Sequence, residues 1–174
     1  MRSIDRQSRR YLRVMHACEK GATGVYWGHR VVAAMLYRDM VTQLDEMHAH
    51  EIEHYEAFGK LMLERHVRTV IAPVFWCAGG IVYGVVTALA GRRAVWRSTA
   101  VIESIVEREL KEAAEFFESR DDEIYQTIQR ILTDEEAHRV VGEQNSPGTA
   151  TVDKLVTPVA QAGASVSKGL AERL

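Results

Sequence analysis

Three prolines, Pro73, Pro147 and Pro158, are all that the 174 residues contain. Proline breaks helices by removing a donor and clashing with the preceding turn, so its scarcity leaves room for long helices, and 47% apolar residues suffice to bury a core between them. Cysteine is rarer still. Cys18 and Cys77 lack Cys-x-x-Cys spacing and lie in different contexts, which argues against a disulfide framework or a thiolate metal site and makes a reducing cytoplasm the default compartment. A basic excess is also missing. The net charge is −2, whereas a nucleic-acid binder needs a cluster of lysine and arginine on one face, so nucleic acid is not an expected partner. Arginines crowd the start (Arg2, Arg6, Arg9, Arg10, Arg13), but no apolar stretch precedes the first long helix. Neither a secretory signal nor a transit peptide is expected.

What is present is a pattern written twice. Glutamate stands at Glu19, Glu-x-x-His follows at Glu51 and His54, glutamate returns at Glu103, and Glu-x-x-His returns at Glu135 and His138. The interval from each lone glutamate to the next pair is the same, which chance rarely produces. Residues three apart share one face of an α-helix, so each pair presents a carboxylate and an imidazole to a common point. Four carboxylates and two imidazoles inside a bundle are the ligand set of ferritin-like dinuclear proteins. Carboxylates bridge and neutralise two cations while imidazole adds a neutral nitrogen to each. The competing reading, Glu and His decorating exposed helix faces, suits a single Glu-x-x-His better than a matched pair of them.

Helical spacing predicts a helix from about Ser8 to Tyr37 (Tyr11, Val14, Met15, Ala22, Val25, Val32, Met35, Leu36) and another from about Met40 to Arg65 (Leu44, Met47, Ile52, Tyr55, Phe58, Leu61, Met62). A third runs from about Ala94 to Glu118, a fourth from Asp121 to about Glu143, and after a break at 145–148 a last amphipathic segment covers about 151–170. The expectation is an all-α, ferritin-like four-helix bundle, one domain over 1–174, with an extra C-terminal helix. Between the second and third ligand helices lies an uncharged run at about 69–91, TVIAPVFWCAGGIVYGVVTALAG. It is long enough to span a bilayer, but one crossing would put Glu19, Glu51 and His54 opposite Glu103, Glu135 and His138. We therefore expect an apolar crossover that rests in a membrane surface and admits a lipid-soluble substrate. Pro73, Gly79, Gly80 and Gly84 favour a broken hairpin or re-entrant element, with Trp76 and Tyr83 at the interface and Arg68, Arg92 and Arg93 at headgroups. The bland alternative is a crossover buried on the bundle or in a dimer contact.

The chain resembles the demethoxyubiquinone hydroxylase family, di-iron monooxygenases of ubiquinone biosynthesis. The resemblance runs nearly end to end, through LRVMHACEKGA, HEIEHYEAFGKLM, VIAPVFW, TALAG, ESI, TDEEAH, AQAG and AERL. It implies metal ligands at Glu19, Glu51, His54, Glu103, Glu135 and His138, the six that spacing selects. The family's first motif usually has Asp, Gly and Tyr where this chain has Met15, Cys18 and Lys20, and His and Tyr near Glu109 and Leu110; these departures touch surroundings rather than ligands.

The resemblance implies two Fe ions, dioxygen as co-substrate and a quinone or quinol lipid as substrate, hydroxylated on its ring. The expected location is peripheral, on the cytoplasmic side of a membrane, with a homo-oligomer or a lipid-carrying helper protein as further partners. Reductase, reduced nicotinamide and quinol all remain open as electron donor. Asp134 and His50 are candidates to support the ligands from behind, or else solvated surface groups; His16 gains weight from its motif, while His29, His48 and His66 read as packing or solvent-facing. Tyr26 and Trp27 line a quinone pocket or pack in the core, and Cys18 reads as a small packing residue beside a ligand, with redox activity as its alternative. Two rivals stand: a ferritin-like iron oxidase or peroxidase, and a metal-free, membrane-associated helical binding protein.

Overall fold

The computed structural model describes residues 4–71 and 73–173. Arg2 of the arginine-rich start, Ala72 of VIAPVFW and Leu174 of AERL lie outside them. The first helix begins where Asp5 accepts a hydrogen bond from the Ser8 amide (2.7 Å), satisfying one of the donors every helix start leaves free. This helix, α1 (Arg6–Leu36), is followed by a 3-10 turn (Arg38–Met40) and α2 (Val41–Glu64). The crossover helix α3 (Val74–Leu89) leads to α4 (Arg92–Phe117), α5 (Asp122–Asn145) and α6 (Asp153–Arg173). Asp121 caps α5 through the Ile124 amide, and Arg65 at the end of α2 grips both Asp121 oxygens at 2.9 Å. That clamp ties the end of one ligand helix to the start of another.

Helices α1, α2, α4 and α5 form the four-helix bundle, ferritin-like and all-α, with no strand among the described residues. Most of their buried apolar residues fall into two groups at the ends of the bundle, while Val14 and Ala17 of α1 pack with Val70 and Ala171. Leu12, Met15, Phe58, Leu61, Leu110, Phe117, Ile124, Ile128 and Ile131 fill one end, and Tyr26, Val32, Leu44, Met47, Val95 and Trp96 fill the other. Glu19, Glu51, Glu103 and Glu135 fall between the two groups along their helices, so a polar middle is held between two apolar plugs. Met35, Leu36 and Ile52, predicted core positions, are exposed; the first two sit at the end of α1, beyond the bundle's packing.

The uncharged run does not break. Pro73 stands at the position capping α3, where a missing N–H costs nothing, and one uninterrupted helix follows. Its glycines serve a close approach to α1. Gly24 faces the Cys77 carbonyl and Gly28, four residues on, faces Ile81, while Gly80 and Gly84 face Gly21 and Val25. The two helices therefore run side by side in the same direction. A Cβ at Gly28 would lie 2.7 Å from the Ile81 carbonyl oxygen, nearer than side chains tolerate, so only glycine permits this spacing. His29 locks the same contact through Thr87 Oγ1 (2.8 Å). The other face of α3 stays open: Val74, Phe75, Val82, Val86 and Leu89 are exposed, Phe75 at 72%. No helix among the described residues is long and apolar enough to cross a membrane.

Arg92 and Arg93, which the sequence suggests for headgroups, both have partners within the protein, Arg92 in an exposed pair. Arg92 pairs with Asp39, and Arg93 pairs with Asp153 (2.7 Å) and donates to the Pro147 and Gly148 carbonyls. Arg93 thereby anchors the start of α6, whose far end is tied by Lys168 to Glu109 and by Glu172 to Arg10.

Candidate metal centre and cavity

Each helix of the bundle delivers its residues to the middle. The structure brings together all six side chains that the sequence pattern picks out. Ligand-capable atoms of Glu19, Glu51, His54 and Glu135 lie within 4.8 Å of one another, and so do those of Glu51, Glu103, Glu135 and His138. Glu51 and Glu135 belong to both groups, one carboxylate from each half of the chain. His54 Nδ1 lies 3.1 Å from Glu135 Oε1 and 4.0 Å from Glu19 Oε2; His138 Nδ1 lies 3.4 Å from Glu51 Oε1.

All six are buried, and most of their polar atoms are orphans. Both oxygens of Glu19, Glu51 and Glu135, Oε2 of Glu103 and Nδ1 of both histidines have no hydrogen-bond partner. Buried polar atoms are almost always satisfied, so these inward-pointing lone pairs fit a pair of cations. Burial pushes the Glu19 carboxyl up to about 7 and Glu135 up to about 8, and lifts Glu51 and Glu103 well above the carboxylate range, with neighbouring carboxylates adding to the effect. Burial, reinforced by His50 and His54, lowers His138 to about 3, which keeps it a neutral imidazole able to donate a lone pair. Two cations would supply the charge that four acids lack.

Support from behind is present for both imidazoles. His54 Nε2 is 3.2 Å from Asp134 Oδ2, and His138 Nε2 is 3.0 Å from His50 Nδ1, with the His50 and His138 rings stacked. Asp134 and His50 are thus outer partners that aim Nδ1 inward. Tyr26 plays a part the sequence did not disclose. It is 1% exposed, and its hydroxyl donates to Glu103 Oε1, so it belongs to the centre and not to a substrate pocket. Trp27 is 43% exposed and is not among the residues of the cavity beside the centre. His16 stacks on Tyr55 with ring centroids 4.2 Å apart, and burial lowers it to about 4.

Against this centre lies a half-open cavity of about 450 Å³ lined by α1, α3, α4 and α6. Its walls are overwhelmingly apolar, including Val25, Phe75, Ile102, Ile105 and Val159, and Glu19 forms part of the inner wall. Trp76 and Tyr83 also line this cavity. Cys18 lines it too, and burial raises its thiol to about 12; a thiol so held is not a nucleophile near neutrality, which favours the packing role. Of the other departures, Met15 lines the cavity, Lys20 sits over the Tyr55 ring at 4.7 Å, Glu109 pairs with Lys168, and Leu110 is buried core. The amphipathic C-terminal segment read from the sequence forms the roof as α6, which meets the cavity through Val159, Ala160, Val166 and Leu170 as well as the small residues Gly163, Ala164 and Ser165.

Comparison with known proteins agrees with this architecture. A profile of the family described as "Ubiquinone biosynthesis protein COQ7" matches residues 6–171. The chain is 30% identical over 167 residues to the 3-demethoxyubiquinol 3-hydroxylase of Rhodospirillum rubrum, covering 95% of this chain and 77% of that protein. It is 28% identical over 169 residues to the mitochondrial NADPH-dependent 3-demethoxyubiquinone 3-hydroxylase of Bos taurus, again 95% and 77%. With the yeast mitochondrial 5-demethoxyubiquinone hydroxylase it shares 33% over 97 residues, 56% of this chain and 42% of the relative. With a bundle of the expected kind, a converged carboxylate and imidazole cluster and a match spanning nearly its whole length, the chain belongs to the COQ7 family.

Proposed function

We propose that this protein is a di-iron hydroxylase that inserts one oxygen atom from dioxygen into the ring of a demethoxylated ubiquinol precursor. The observation that carries the reading is the set of orphaned, inward-facing ligand atoms beside an apolar cavity. Glu19 and His54 would hold one ion, Glu103 and His138 the other, and Glu51 and Glu135 would be shared between them. Two iron ions, when bound, supply the redox chemistry with dioxygen.

The protein's own contributions are distinct. Asp134 and His50 fix the ring orientation of the two imidazoles. The apolar plugs above and below the cluster keep water from it, which strengthens every electrostatic interaction inside. Val25, Ile102 and Ile105 offer an apolar bed for an aromatic ring, and Glu19 is where that bed meets the centre. An iron oxidase would share the carboxylates but would have no use for such a cavity. The exposed apolar sides of α3 and α6, with Phe75, Val82, Val86, Val159 and Val166 uncovered, suit peripheral attachment to a membrane from which a lipid quinol enters.

One experiment addresses chemistry and attachment together. Iron-loaded protein, a reductant and dioxygen are given a short-tailed demethoxylated quinol in lipid vesicles. The expected outcome is product heavier by one oxygen atom and protein sedimenting with the vesicles. Unchanged quinol alongside free oxidation of ferrous iron would favour the iron oxidase instead.

A further inference from the structure

The six residues form two nearly equivalent halves, but their surroundings are not equivalent. Glu103 is tied at one oxygen by the Tyr26 hydroxyl, leaving only Oε2 without a partner. Tyr26 is itself fixed, 1% exposed and packed edge-on against both His29 and His138 with centroids 6.1 and 5.9 Å away. Glu19, the counterpart of Glu103, has no such tether: both of its oxygens lack a hydrogen-bond partner. Of the six, Glu19 alone lines the apolar cavity. The imidazoles differ in the same sense, with a carboxylate behind His54 and a second imidazole behind His138.

A carboxylate with one oxygen already accepting from a buried donor favours binding a cation through the other, because the donor takes a lone pair and fixes the orientation of the first. One with both oxygens free can bind through one or two and exchange between these modes at little cost. We infer that Tyr26 is a positioning residue that holds Glu103 to one-oxygen binding, and that Glu19 is the carboxylate that changes binding mode when the substrate ring enters the cavity. The substrate-facing side of the centre is then the Glu19 and His54 side. The far side, pinned by Tyr26 and His50, is the rigid one. This inference rests on the dinuclear reading above and adds to it a division of labour between the halves.

Carboxylate binding mode is visible by infrared spectroscopy, because the gap between symmetric and asymmetric stretches is wide for one-oxygen and narrow for two-oxygen binding. The experiment uses zinc-loaded protein, compared with the metal-free form, with and without a short-tailed quinone. Wild type should show a wide-gap carboxylate that narrows in Tyr26→Phe, while two zinc ions per chain remain bound. Adding quinone to wild type should shift a different carboxylate band, and that shift should persist in Tyr26→Phe. Gly79 lines the cavity with nothing within 4 Å of an added Cβ, so Gly79→Phe fills the cavity without touching the cluster. This variant should keep the zinc spectrum and lose the quinone-induced shift.

An unchanged spectrum in Tyr26→Phe with both zinc ions bound would overturn the role given to Tyr26. A quinone shift that disappears in Tyr26→Phe, or that survives in Gly79→Phe, would overturn the role given to Glu19. Should Tyr26→Phe not fold, the quinone shift in Glu19→Asp decides the assignment to Glu19: a band unmoved from its wild-type position, with two zinc ions bound, would overturn it. Failure of wild type to take up zinc would instead remove the dinuclear reading itself.

Discussion

Glu19, Glu51, Glu103 and Glu135 are each no more than 1% exposed, an arrangement whose cost without cations has a sign that can be worked out. Their folded-state values lie above the ordinary 4.5, at about 7 for Glu19 and about 8 for Glu135. Although His16, His29 and His138, lowered by burial to about 4, 3 and 3, oppose the effect below pH 6.5 because the unfolded chain protonates them first, the four carboxyls make the metal-free folded chain hold more protons than the unfolded one at higher pH, and its stability falls as pH rises towards 8. Asp121, lowered by Arg65, works the other way and loses its contribution as pH drops through its folded value, below 3.8. The carboxyls and the histidines nearly cancel at about pH 5, so the metal-free protein should be most stable at about pH 5 to 6, and its melting temperature should fall on the order of 10 °C by pH 8. Loading with a divalent cation should abolish that fall, and calorimetry across pH would show it. A metal-free melting temperature that rises from about pH 6.5 to 8 would contradict the account. The six cluster residues were legible in the sequence because metal ligation imposes helical spacing. Tyr26 was not, since a hydroxyl two turns beyond Glu19 reads equally as core until α4 is placed beside it.

At the scale of elements, α3 is where sequence and structure part. Proline and three glycines in an apolar run resemble breakage when helix propensity alone is weighed. The physical reason for an unbroken helix is contact: the Gly24 and Gly28 spacing on α1 repeats as Gly80 and Gly84 on α3, and a search for paired G-x-x-x-G would have found it. Replacing Gly84 with valine forces a methyl-bearing carbon into the Val25 carbonyl and should cost at least ~2 kcal/mol in chemical denaturation. Gly79→Ala, on the same helix but facing open space, should stabilise by up to ~1 kcal/mol. Equal effects at the two sites would refute the close-packing explanation. The remaining bundle helices were placed within a few residues by periodicity and caps, Asp121 above all.

In the whole molecule, two apolar plugs, a polar middle, a cavity meeting it at Glu19 and an uncovered apolar side on α3 and α6 form one sequence of surfaces from lipid to centre. The presence of an apolar crossover was readable, but the cavity was not, because it arises where four helices meet and the pattern of no single helix specifies the space between them. Every functional role above depends on two cations sitting among Glu19, Glu51, His54, Glu103, Glu135 and His138. The most direct test is anaerobic titration of the metal-free protein with ferrous iron, read by elemental analysis after desalting. Two irons per chain are predicted for wild type, and no more than one for Glu51→Ala and for Glu135→Ala. No retained iron, or two irons still held by both variants, would contradict the account.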